Sequence, residues 1–294
     1  MIKILVTGGA GFIGSNLIKY LKYMENNIEI TSLDNYFTGS INNHIHCVEY
    51  INGHIKDAHI ILNNRRFDIV FHFGEYSRIV SSFKDINILR ESILIGTPVI
   101  LELCRKWNAK LIYSASSSKF GNNGEDENLS PYAWMKAKMV ELIKNYNKWF
   151  GLQYEIAYFF NVYGPGQIMK GTYATVIGIF EKQWKNNKKC TVVSPGTQTR
   201  DFTHVFDIVS GLVKIMNKND NHEWYLRSGI NYNIISIAKM FGEYVIIPER
   251  RGERKSSIMF KNDTIERLNW KPIHSIEDWI KSVKKTKLEK IIVN

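Results

Sequence analysis

The stretch IKILVTGGAGFIGSNLIKYLKYM, residues 2–24, constrains the fold more than any other part of the chain. A short apolar run leads straight into Gly8, Gly11 and Gly14, spaced three apart, and a helical pattern begins at Phe12. Glycine in such a turn lets the backbone fold tightly and approach a pyrophosphate. The helix that follows offers free N–H groups and the positive end of its dipole. Glycine spacing alone is a weak signal; its position between a first strand and a first helix makes it informative. The second apolar run ends at Asp34-Asn35, about twenty residues beyond the glycines. A carboxylate there can accept hydrogen bonds from the adenosine ribose and repels a 2′-phosphate, which predicts NAD over NADP. The plainer reading makes Asp34 and Asn35 turn residues.

The remaining rhythm supports that start. Ile28 to Leu33, Cys47 to Ile51, Asp68 to Phe73, Lys110 to Ala115 and Tyr154 to Phe160 read as strands. Helical spacing covers Phe12 to Met24, Glu91 to Trp107 and Trp134 to Phe150. Strands apolar on both faces and separated by helices predict an α/β fold, a doubly wound parallel Rossmann sheet. After Gly164-Pro165-Gly166 the pattern becomes irregular, which predicts a smaller mixed α/β substrate-binding lobe. The expected division is residues 1–165, with 200–217 returning to them, against a lobe built mainly from 166–199 and 218–294.

Composition removes several classes of function. No apolar run approaches the ~20 residues that cross a bilayer, so no membrane partner is expected. The N-terminus lacks signal-peptide features, and Cys47, Cys104 and Cys190 have no metal or redox spacing. These features predict a cytoplasmic protein without disulfides. A net charge of +11 comes from lysines spread along the chain, so a solvated basic surface is expected and nucleic acid is not. His44 and His46 lie in a presumed loop, and no metal site is expected.

Chemistry concentrates in two places. LIYSASSSKFG ends a buried strand in Ser114, Ser116, Ser117 and Ser118, more hydroxyls than a turn requires. SPYAWMK sets Tyr132 and Lys136 four apart, which stacks them on one helix face. A free tyrosine titrates near ~10, and a neighbouring ammonium and a pyridinium both favour its phenolate. Such a pair is common by chance; a dinucleotide turn and a serine-tipped strand make it a candidate base.

From Ile2 to about Pro272 the chain resembles the extended short-chain dehydrogenases that modify nucleotide sugars, the NAD-dependent epimerase/dehydratase group. TGGAGFIG, LDNYFTG, FDIVFHFG, YSASSSKFG, SPYAWMK, FFNVYGPGQ, TQTRDFTHVFDIV, PERRGE and LNWKP carry the resemblance. It implies that Ser116 binds substrate and relays a proton, Tyr132 is the general base and acid, and Lys136 holds the nicotinamide ribose. The implied NAD-binding set is Gly8, Gly11, Phe12, Ile13, Gly14, Asp34, Asn35, Ile55, Phe73, Gly74, Tyr132, Lys136 and Phe160. A nucleotide-diphosphate sugar would meet Ser116, Ser117, Ser118, Tyr132 and Asn161, with Arg200 and Arg250 on the diphosphate. A homodimer through a four-helix interface is also implied, from the helices of Ile86 to Trp107 and Tyr132 to Phe150.

In the dehydratases of this group an Asp and a Glu follow the reactive hydroxyl, and the decarboxylases keep the Glu. Here both positions are serines, which cannot do a carboxylate's proton transfer. The reading is therefore an NAD-dependent 4-epimerase that oxidises and re-reduces one carbon of a UDP-hexose or UDP-N-acetylhexosamine. The alternatives are a 4,6-dehydratase, a 4-keto reductase, and a non-catalytic NAD- or RNA-binding protein. Departures from the group are His54 in place of an acidic residue, Gly74-Glu75 in place of a small pair, Ser92 for an asparagine, Tyr158 for an arginine and Lys119 for an apolar residue. Glu75 is expected to pair with Arg78, or else to act as an added acid. Trp134, Trp149 and Phe150 are expected to pack between helices, and His204 to buttress Arg200.

Overall fold

The computed structural model describes residues 1–24, 27–122, 126–257 and 263–293. Its first half contains β1 (Ile2–Thr7), α1 (Phe12–Met24), β2 (Ile28–Asp34), β3 (Glu49–Asn52) and β4 (Ile69–His72). Then come α2 (Gly96–Trp107), β5 (Lys110–Ser116), α3 (Pro131–Phe150) and β6 (Tyr154–Phe159). The second half runs through β7 (Asn161–Tyr163), α4 (Val176–Lys185), β8 (Cys190–Val193), β9 (Thr199–His204) and α5 (Val205–Met216). It ends with β10 (Glu223–Leu226), β11 (Asn231–Asn233), α6 (Ile234–Phe241), β12 (Tyr244–Ile247) and α7 (Ile276–Val293).

Seven strands form one parallel sheet in the order β10-β6-β5-β4-β1-β2-β3. Side-chain alternation explains why both faces are covered. Leu5, Val70, Leu111 and Ile156 face Ile100 and Leu101 of α2 and Val140 and Ile143 of α3. Ile4, Val6, Phe71 and Ile112 face Leu17 and Leu21 of α1 and Ile208 and Leu212 of α5. Strands buried on both sides are continuously apolar, which is why these runs were legible. Strand order reverses between β1 and β4, and ligands of open α/β sheets bind beside the carboxyl ends of such strands.

Two smaller sheets, β7-β9-β11 and β8-β12, build the lobe. Its core is Tyr163, Phe180, Val192, Ile237 and Phe241, with Ile280 from α7. The division between the units differs from the expected one in two respects. Residues 205–216 return as helix α5 beside α1, while β9 stays in the small sheet. Strand β10, within the 218–294 stretch assigned mainly to the lobe, pairs parallel with β6 at the edge of the main sheet. Glu155 explains this docking: its buried carboxylate accepts from Asp220 N (2.7 Å) and Trp224 Nε1 (2.6 Å), fixing the approach to β10.

Candidate active site

A groove of about 490 Å³ opens at the carboxyl ends of β1 and β4 and continues to the lobe residues Val193, Phe202 and Ile234. One end is built by the glycine turn. Gly8 has φ +73°, and a Cβ on it would lie 2.9 Å from the Phe73 carbonyl and the Gly74 nitrogen. A Cβ on Gly14 would overlap the Gly8 carbonyl oxygen, so α1 can begin this close to β1 only with glycine there. Phe12 and Ile13 form the first turn of α1 and line the groove with Gly11. Asp34 is buried and accepts from Ala10 N (2.9 Å) and Tyr36 N (2.8 Å), which ties β2 to the turn. Burial pushes its carboxyl above the usual range, and those backbone donors oppose the push. Asn35 is exposed at the groove edge, and Ile55 is buried beneath it. His54 caps the short helix at Ile55–Asp57, its Nδ1 accepting from Lys56 N at 3.1 Å.

Another part of the groove, lined by Ser116, Tyr132 and Lys136, sits where β5 meets α3. Ser130 caps α3 by accepting from Ala133 N (3.1 Å), and Pro131 occupies the first turn. Such a cap contributes about 1 kcal/mol and fixes where the helix starts. Tyr132 and Lys136 are then both carried on the buried face of α3. Tyr132 and Ser116 both line the groove here. Burial pushes the phenol up to about 12; the Glu75 charge adds to the rise, while Ser116 and Arg78 oppose it. Ser116 Oγ accepts from Ser118 Oγ at 2.8 Å and Ser118 N at 3.2 Å, so the serine run coils into a short 3₁₀ turn around the Ser116 hydroxyl. Lys136 Nζ bonds the Ser114 carbonyl (2.5 Å) and Glu75, and lies 4.1 Å from the Tyr113 ring centroid. Burial pulls Lys136 below the usual lysine range, and Glu75 opposes that pull.

Residues 4–234 match the NAD dependent epimerase/dehydratase family. The chain belongs to this family. Its cofactor is therefore NAD, and the glycine cradle, the α1 N-terminus and the Asp34 carboxylate fit the group. A putative UDP-glucose 4-epimerase of Methanocaldococcus jannaschii is 35% identical over 304 residues, covering 95% of this chain and 96% of that protein. A dTDP-D-glucose 4,6-dehydratase of Dictyostelium discoideum is 32% identical over 247 residues, 74% of this chain and 56% of that one. Among solved structures, a UDP-glucose 4-epimerase from Thermotoga maritima with UDP-glucose has a TM-score of 0.90 at 27% identity, covering 99% of this chain and 100% of its own.

Towards the lobe, Asn161 lines the groove beside Phe160, and the lobe brings in arginines. Arg200 is buried, its Nη2 bonded to Glu253 at 2.6 Å. Arg250 lines the groove from an exposed position. The residue that sequence reading missed is Arg254. It is buried on the same wall, donates from Nη1 to the Ser117 carbonyl (2.7 Å) and from Nη2 to Ser257 Oγ (3.0 Å), and leaves Nε without a partner. Burial, and next the Arg200 charge, pull it down to about 9. The run PERRGERK signals arginines at this point, but their order gives no sign of which one turns inward.

Several expectations need correction. Glu75 does not pair with Arg78, whose Nε donates to the Tyr173 carbonyl at 2.7 Å; the carboxylate turns inward to Lys136 instead. His204 caps α5 by accepting from Phe206 N (3.2 Å) and stacks on His274, at the far end of β9 from Arg200. Trp134, Trp149 and Phe150 are all exposed, although Phe150 meets the Arg105 guanidinium of α2 (5.1 Å). Lys119 and Tyr158 are in direct contact: the lysine donates to the Tyr158 hydroxyl at 3.1 Å, which donates to Glu223 at 2.8 Å.

Proposed function

We propose that this protein is a nucleotide-sugar 4-epimerase, acting on a UDP-hexose or UDP-N-acetylhexosamine by transient oxidation at C4. One observation carries the reading. Among the described residues lining the groove, the carboxylates are Asp34, Glu75 and Glu253, and each is already bonded within the protein. Elimination of water needs a further acid and base beyond the tyrosine. At the two positions after Ser116 there are only hydroxyls.

Bound NAD supplies the hydride acceptor and, later, the donor. Tyr132 takes the proton of the sugar 4-hydroxyl and afterwards returns it. Burial holds its phenol at about 12 against the pull of Arg78, and the positive charge of bound NAD would lower it further towards the working range. Ser116, fixed by Ser118, holds the sugar oxygen and passes the proton. Lys136 orients the ribose. Arg200, Arg250 and Arg254 hold the diphosphate with charge-assisted bonds, which leaves the hexose free to present either face. The test is incubation with UDP-, GDP-, CDP- and dTDP-sugars, read by NMR. A C4 epimer appearing without net NADH supports the reading; loss of water or carbon dioxide, or no change in any sugar, refutes it.

A further inference from the structure

That mechanism leaves Glu75 without a task, although its side chain is only 3% exposed and lies on the groove wall next to Gly74. Its bonding partners all act as donors. Lys136 Nζ donates to Oε2, while Thr97 Oγ1 (2.5 Å) and Tyr113 OH (3.1 Å) donate to Oε1. The direction of these bonds is fixed from behind. Thr7 Oγ1 accepts from Phe73 N (3.1 Å) and Gly74 N (2.9 Å), so its hydrogen goes to His72 Nδ1 at 2.7 Å. His72 Nε2–H is then aimed at Thr97 Oγ1 (3.0 Å), whose own hydrogen is left for Glu75. Each of these hydrogen bonds is donated to the carboxylate, which is ion-paired with Lys136.

The consequence is electrostatic. Lys136 alone would leave the reactive end positive; with Glu75 the pair is neutral. The oxidised nicotinamide ring carries a positive charge, which is lost when it accepts a hydride with both electrons of the sugar C–H bond, the hydroxyl proton going to Tyr132. Cancelling the lysine's charge removes a repulsion that the charged ring would feel and the neutral ring would not. We propose that Glu75 is a positioning residue that pins Lys136 and biases the bound cofactor towards its oxidised form. The bias stands whatever the substrate; its use, shortening the life of the keto sugar, rests on the epimerase reading.

The experiment is calorimetric titration of NAD⁺ and of NADH into the full chain, comparing wild type with Glu75→Gln. The ratio of the two dissociation constants should move about tenfold in favour of NADH in the variant, as expected for losing one charge at partly screened range. A purely structural role would weaken both forms alike and leave the ratio fixed. Lys136→Met should move the ratio the other way, and it carries the test if Glu75→Gln does not fold. A ratio within twofold of wild type overturns the inference. If the ratio moves but no sugar nucleotide turns over, the bias stands and the epimerase reading falls; epimerisation with an unmoved ratio removes only the role given to Glu75.

Discussion

Acid should unlock this site before it unfolds most of the protein, and His72 is the reason. The ring is fully buried between Thr7 and Thr97, and burial holds its pKa at about 4, against 6.5 for a free imidazole. The unfolded chain therefore binds a proton that the folded chain refuses. The stability this gives is complete above pH 6.5 and is lost as pH falls through the window down to about 4. By pH 4.5 the loss from this residue is about 2–3 kcal/mol. Protonation would also put a hydrogen on Nδ1, facing the Thr7 hydroxyl that orders the Phe73 and Gly74 amides. The assay is urea denaturation at half-unit steps from pH 7.5 to 4.5, for wild type and His72→Gln. Titrations shared by both proteins, such as that of His204, cancel in the difference. The gap between the two curves should shrink by about 2–3 kcal/mol on acidification. A gap independent of pH would mean that His72 is not held neutral, and the ordered chain from Thr7 to Glu75 would go with it.

Gly14→Ala should cost about 1–3 kcal/mol in urea denaturation, because its methyl overlaps the Gly8 carbonyl and lies 2.8 Å from Gly9 Cα. NAD affinity should fall with it; unchanged binding by calorimetry would contradict the cradle. Arg254→Met should weaken UDP binding by about 2 kcal/mol, one charge-assisted hydrogen bond, with NAD affinity kept. Equal loss of both ligands would instead assign Arg254 to holding the Ser117 loop. Ile88, Ile95 and Trp134 form exposed apolar surface on the helices expected to dimerise. Sedimentation should give a dimer of the 34.2 kDa chain that Trp134→Glu converts to monomer, and a monomeric wild type would remove the four-helix interface.

What was legible in the sequence was local. Helix α1 was bounded at Phe12 and Met24 because a glycine turn and an apolar stripe coincide there. The central strands stood out because burial on both faces leaves them few polar positions. At the sheet edge the signal fades: β3 starts at Glu49, not Cys47, on a strand with exposed residues. The helix read from Glu91 begins at Ile86 and runs through a wider i→i+5 turn at Arg90–Ile95, for which the residues give no local sign. Strand β10 was missed because EWYL is short, and its place is set by Glu155, far away in the chain. The site divides in the same way. Tyr132 and Lys136 share a helix and could be paired from spacing. Glu75 and Lys136 are 61 residues apart, so only the packing of β4 against β5 reveals that the carboxylate faces the lysine and not Arg78.

The central claim is that a hydride leaves one sugar carbon and returns to the same carbon. Supplying the accepted nucleotide sugar with deuterium at C4 and following it by NMR tests this directly. The account predicts a C4 epimer that keeps its deuterium at C4, with no net NADH. Deuterium found at C6, or washed out to solvent, would contradict it.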